Sequence, residues 1–176
     1  MFQRLLLRRR RRFMLIFGIL LAVLIVVNIV RLLSGDSGAS EPAIAGITCE
    51  RERLDFHIHV RLSIFVNGQR REVPEGVGIR DGCLYWLHTH DASGLVHIEA
   101  PSPVEFRLGQ FFAVWGEPLS ERRLLDAAPE AGRSVHALVD GNLYQGDPAD
   151  IPLTDGEVIV LEYGPSLNPS TTGDGS

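Results

Sequence analysis

The chain has 176 residues, 45% hydrophobic and 22% charged, which is one domain's worth of sequence and neither disordered nor collagen-like in composition. All seventeen basic residues are arginine, which excludes lysine-dependent phosphate-loop and Schiff-base chemistry, and two cysteines are too few for a four-cysteine zinc site or an iron–sulfur cluster. The net charge of −5 hides an asymmetry: seven arginines and no acid precede residue 34, whereas ten arginines face twenty-two acids after it, a balance of −12 that suits cations and disfavours nucleic acid.

From Phe13 to Val30 the chain reads FMLIFGILLAVLIVVNIV, with Asn28 the only polar side chain. A helix of that length is about 27 Å long, close to the ~30 Å hydrocarbon core of a bilayer, so 13–33 is expected to be a transmembrane helix. Arg8 to Arg12 lie just before the span and only Arg31 after it. The positive-inside rule then puts segment 1–12 in the cytoplasm and the rest outside, anchored in the cell membrane by a single pass. A cleaved secretory signal is the rival reading, but its apolar region is shorter and ends close to a small-residue cleavage site. Residues 34–48 are small and polar with Gly and Pro and read as a linker. The tail 165–176 has the same look and reads as disordered.

The intervening 49–164 is expected to be one histidine-rich domain. Phe56 to Val66 alternate with period two, a strand with its even-numbered face in the core. Asn67-Gly68 predicts a hairpin to a return strand over 69–73. Leu84–His90 against Leu95–Glu99 forms a second predicted hairpin around Asp91-Ala92-Ser93-Gly94, and 135–139 against 142–144 a third around Asp140-Gly141. A short helix is predicted over 108–115, with Gly116 as its C-terminal cap and with Arg107 where a Ser or Thr cap is expected. The run 158–163 reads as a last, buried strand. The whole is expected to be a small α+β domain rich in β-hairpins, and its order of elements resembles the β-grasp fold, in which the last strand runs through the middle of the sheet.

Cys49 and Cys83 bracket the first hairpin, and two cysteines in an exported domain usually pair; two free buried thiols are the alternative. Five of six histidines fall in the pairs His57/His59 and His88/His90, with His97 apart. Residues i and i+2 of a strand project from one face about 6–7 Å apart, from where ring nitrogens can converge on a metal ion. Pairing across the second turn sets His88 opposite His97, with His90 and Glu99 on the same face. Imidazole ligands without Met or a free thiolate suit copper(II), zinc or iron(II) rather than copper(I). Asp55, Asp91 and Glu99 are expected to orient the imidazoles through their outer N–H groups. His136 reads as structural, and so do Trp86, Phe111, Phe112 and Trp115.

The stretch LYWLHTHDASGLVHIEAPSPVEFRLGQFFAVWGEPL, with its upstream HxH strand, VNG turn and two cysteines, resembles a group of uncharacterised exported or membrane-anchored bacterial proteins. The resemblance covers about Cys49 to Leu119 and implies that His57, His59, His88, His90, His97 and Glu99 belong to a shared motif, without implying a reaction. The expectation that follows is a membrane-tethered extracytoplasmic protein holding copper or zinc by histidine, acting as a metal chaperone or sensor near a membrane enzyme or transporter. Two alternatives stand beside it. One is a metalloenzyme with an open three-histidine site, in which Glu99 or Asp91 would be the general acid or base. The other is a β-grasp interaction module without metal. No catalytic residue is assigned.

Overall fold

The computed structural model describes residues 17–30, 41–52 and 55–166. The basic segment 1–12, positions 13–16 and 31–33 of the predicted span, the first part of the predicted linker and the tail from 167 lie outside the described residues. Residues 17–30 form helix α1, which belongs to a unit separate from the domain that follows. Among the described residues no helix is long and apolar enough to cross a membrane. That finding overturns the predicted single-pass span. The membrane partner, the anchored localisation and the proximity to a membrane enzyme or transporter all rested on it and are withdrawn with it.

The α+β, β-grasp-like class is corrected too. Among the described residues of the second unit, helix is confined to α2 (Leu108–Trp115) and the 3-10 turn Pro148–Asp150. Strands make up the rest of the regular structure: β1 Cys49–Glu50, β2 Phe56–Val66, β3 Gln69–Arg71, β4 Ile79–Arg80, β5 Cys83–Tyr85, β6 Leu87–His88, β7 Leu95–Ala100, β8 Leu119–Ser120, β9 Arg123–Leu124, β10 Arg133–Val139, β11 Asn142–Leu143 and β12 Val158–Pro165. The principal sheet runs β11-β10-β12-β2-β7-β6, with β3 added to one end of β2; β1-β5-β4 and β8-β9 form two smaller sheets. Sequence patterns report turns between neighbours in the chain, whereas most of this pairing is between distant segments. That is why a hairpin count misjudged the class.

β2 shows how alternation becomes architecture. Val60, Leu62, Ile64 and Val66 are buried, and the odd-numbered residues face away from the core. β12 runs parallel to β2, with Ile159 opposite Leu62 and Leu161 opposite Ile64, and antiparallel to β10 on its other side. An internal strand satisfies its backbone on both edges, which suits the apolar VIVLEY run. Val96 and Ile98 of β7 continue the buried face, and Leu108, Phe111, Phe112 and Val114 of α2 join the same apolar cluster. Each such side chain contributes roughly 1.5–3 kcal/mol on burial.

Helix α2 begins without a Ser or Thr cap. Gln110 replaces one: its Oε1 accepts the Arg107 N–H at 2.9 Å, while Leu108 N–H donates to the Ile151 carbonyl. The helix ends at Gly116, whose φ of 86° lies in the left-handed region that glycine enters freely. The Cys49–Cys83 disulfide ties β1 to β5 with a Cα–Cα separation of 5.4 Å. Ile47, in the predicted linker, is 1% exposed, so the packed domain starts before Cys49.

Candidate metal centre

Three adjacent strands build the centre, with β7 in the middle. β7 pairs with β6 so that His88 lies opposite His97 and Leu87 opposite Ile98, the register expected from the Asp91–Gly94 turn. On its other edge β7 pairs with the first half of β2, setting His59 opposite His97 and His57 opposite Glu99. Directly opposed residues share a face, so this register brings both HxH pairs to the one face that carries His97 and Glu99. Sequence reasoning foresaw the first pairing and missed the second. It named no partner for β2 beyond the return strand over 69–73, and β3 covers only Ile64 to Val66. Leu84 and Tyr85 likewise leave the predicted second hairpin and pair with β1 and β4.

The rings are close. Centroids lie 4.5 Å apart for His57 and His59, 4.6 Å for His59 and His97, 4.6 Å for His90 and His97, 4.8 Å for His88 and His90, and 5.5 Å for His88 and His97, the last two rings nearly parallel. His88 Nε2 and His90 Nε2 are 3.2 Å apart. Glu99 Oε1 lies 3.2 Å from His57 Nε2, 3.8 Å from His88 Nε2 and 3.9 Å from His97 Nδ1. The donor atoms fall into two sets, His88/His90/His97/Glu99 and His57/His59/His97, each with its members within 4.8 Å of one another. Either set could hold a metal ion. Neighbouring ligands of a tetrahedral ion at ~2.0–2.1 Å stand about 3.4 Å apart, so either set would contract around a bound ion.

Hydrogen bonding prepares the donors. His88 Nδ1 lies 3.0 Å from the Tyr85 carbonyl oxygen, which can only accept, so Nδ1 carries the proton and Nε2 presents its lone pair. Two buried polar atoms, His97 Nδ1 and Glu99 Oε2, have no hydrogen-bond partner. Leaving such atoms unsatisfied costs on the order of 1–3 kcal/mol each. Burial holds His88 down to about 4, against the raising effect of its Tyr85 hydrogen bond, and the neighbouring imidazoles lower it further. Burial also lowers His97 to about 4, reinforced by His59, His90 and His57. Both are therefore neutral, the form that binds metal, throughout the ordinary pH range. Burial raises Glu99.

Residues outside the two donor sets fix these positions. Thr89, between the two histidines of its pair, is fully buried and points the other way: its hydroxyl donates to the Pro74 carbonyl at 2.8 Å and accepts the Val77 N–H at 3.1 Å. Its own N–H and carbonyl bond to Val77 and Gly76. Gly78 (φ +76°) lets this loop lie against Leu87, where a Cβ would meet the Leu87 carbonyl oxygen at 2.5 Å. On the other flank Asp155 Oδ1 accepts the His59 N–H at 3.0 Å, and Gly156 N–H donates to the His59 carbonyl. Asp155 was not among the candidates, because its turn lies 96 residues from His59 and no local pattern joins them.

The remaining candidates behave differently. Asp91 is exposed, and hydrogen bonds from the Ser93 side chain and from its N–H, which Asp91 Oδ1 accepts at 2.8 Å, lower its carboxyl below the usual range and make it a loop-forming group. Asp55 is exposed just before β2. His136 Nε2 lies 2.8 Å from the Pro165 carbonyl oxygen, away from the cluster on β10. Trp86 packs edge-on to Phe106 and donates its indole N–H to Glu50. Beside His59 a cavity of about 360 Å3 is lined by Arg61, Leu95, Asp155, Glu157 and Val158.

No known family, curated protein or solved structure matches the chain. The functional reading therefore rests on the chemistry of the centre itself.

Proposed function

We propose that the protein binds a first-row divalent transition metal, copper(II) or zinc, through His57, His59, His88, His90 and His97, and serves as a metal carrier or sensor. One observation carries the reading: five imidazoles and a carboxylate from three neighbouring strands gather on one face, with His97 Nδ1 and Glu99 Oε2 buried and unpartnered. A hydrogen-bonded histidine network without metal would leave those two atoms unsatisfied, whereas an ion beside them gives both a partner. Nitrogen-rich donors without a free thiol, both cysteines being in the disulfide, favour copper(II) and zinc over copper(I). The buried carboxylate at 3.2 Å from His57 Nε2 supports an orienting role for Glu99, since a carboxylate accepting one ring N–H leaves the other nitrogen as donor.

The test is metal analysis of the full chain, stripped with chelator, exposed to zinc or copper(II) and desalted. Retention of at least one ion per chain is expected, and its loss in the double variant His88→Ala, His97→Ala. Absence of any retained ion in the unaltered protein would contradict the reading, and full retention in the double variant would contradict the choice of residues.

A further inference from the structure

The centre has a symmetry of parts that a single ion does not use. β7 lies between β2 and β6, and each of those outer strands delivers one HxH pair: His57/His59 from β2, and His88/His90 at the end of β6. Between the pairs, the middle strand supplies His97 and Glu99. The two candidate donor sets accordingly share His97 and no other residue.

Bond lengths then limit what one ion can reach. All ligands of an ion bound at ~2.0–2.1 Å lie within about 4.2 Å of one another. Each set comes near that limit with its members within 4.8 Å, and the donors form two sets rather than one. Neighbouring strands of a sheet are about 4.8 Å apart, so the two HxH pairs stand on backbones separated by twice that distance. His97 has ring nitrogens on two sides of its ring, and Glu99 has two oxygens, with Oε1 within 4 Å of donors from both sets. These are the two side chains of the cluster able to serve both positions at once, Glu99 through its two oxygens and His97 as an imidazolate, its ring proton passing to water as the second ion binds.

We infer that the centre is binuclear: it holds two divalent transition-metal ions, one on His57/His59 and one on His88/His90, with His97 between them and Glu99 within reach of both. This rests on the metal-binding reading above and adds the number of ions and the division of ligands. It also changes the chemistry available, since adjacent ions can share a bridging ligand, which an isolated ion cannot.

Zinc and copper(II) titrations of the stripped full chain, with the bound ions counted after desalting, distinguish the two readings. Two ions per chain are expected, and the copper(II)-loaded form should show the spin-coupled paramagnetic resonance signal, including a half-field transition, of two neighbouring ions. The variants His57→Gln, His59→Gln and His88→Gln, His90→Gln should each retain one ion and lose the coupling. Saturation of the unaltered chain at one ion, or two ions without magnetic coupling, would overturn the binuclear assignment while leaving metal binding intact; no ion at all would remove both readings. The counts and coupling in the unaltered protein decide the matter even if a variant fails to fold.

Discussion

Thr89 shows how a side chain with no role in coordination governs the donors beside it. Its hydroxyl and both its backbone polar groups bond to the loop from Pro74 to Val77, so His88 and His90 start from a fixed backbone and need little ordering when an ion arrives. Thr89→Val keeps the volume and removes the hydroxyl, leaving the Pro74 carbonyl and the Val77 N–H without it. Denaturant unfolding should report a loss of about 1–3 kcal/mol, and metal affinity should fall in parallel; unchanged values in both would show that the loop does not support the pair. The ligand-type residues themselves were legible in the sequence, because period-two spacing and a four-residue turn fix which side chains share a face. Thr89 and Asp155 were not legible as positioning groups: both act on backbone far away in the chain, and nothing in their own neighbourhood marks it.

Among the elements, short-range structure followed local chemistry and long-range pairing did not. The Asn67-Gly68 and Asp140-Gly141 turns, with φ values of 56° and 74°, and 49° and 80°, make hairpins where turn-forming residues predict them. Helix α2 occupies 108–115 as its pattern implied. The partner of β2's first half, by contrast, depends on which distant edge is free. β3 is too short to cover it, and β7 takes the place, which assembles the centre. Gly94 has a part in this: a Cβ there would come within 2.3 Å of the Leu62 carbonyl oxygen, and its own carbonyl accepts the Leu62 N–H. The disulfide acts at the same scale. It closes a 34-residue separation that contains β2 to β4, and opening it with Cys49→Ser and Cys83→Ser together should cost about 4 kcal/mol in the chain-entropy account. Thermal unfolding would check this. A melting temperature equal to that of the oxidised protein would mean that the sheets hold β1 and β5 without the covalent tie.

For the molecule as a whole, assembling the cluster has a consequence for pH. In the unfolded chain His88 and His97 take protons near 6.5, whereas in the folded, metal-free protein both are held down to about 4. The unfolded state therefore binds more protons between those values, and stability falls as pH falls. It is fully present above 6.5 and is lost on the way down to 4, at up to roughly 1.4 kcal/mol per pH unit for His88 and less for His97, whose partial exposure lets solvent screen it. Chemical denaturation of metal-free protein at pH 7 and pH 4.5 should show the difference, and an equal midpoint at the two values would mean that neither imidazole is held neutral. Bound metal should deepen the dependence, since protons and ions compete for the same nitrogens.

The same whole-molecule view explains the largest misjudgement. A run of apolar residues near a cluster of arginines reads locally as a membrane span, yet among the described residues no helix is long and apolar enough to cross.

The most direct test of the central claim is X-ray absorption spectroscopy on the zinc-loaded full chain. The account predicts an inner shell dominated by nitrogen at about 2.0–2.1 Å, with the outer-shell scattering of several imidazole rings and no sulfur. A shell of oxygen atoms alone, with no imidazole scattering, would place the ion elsewhere and contradict the assignment of this face as the metal centre.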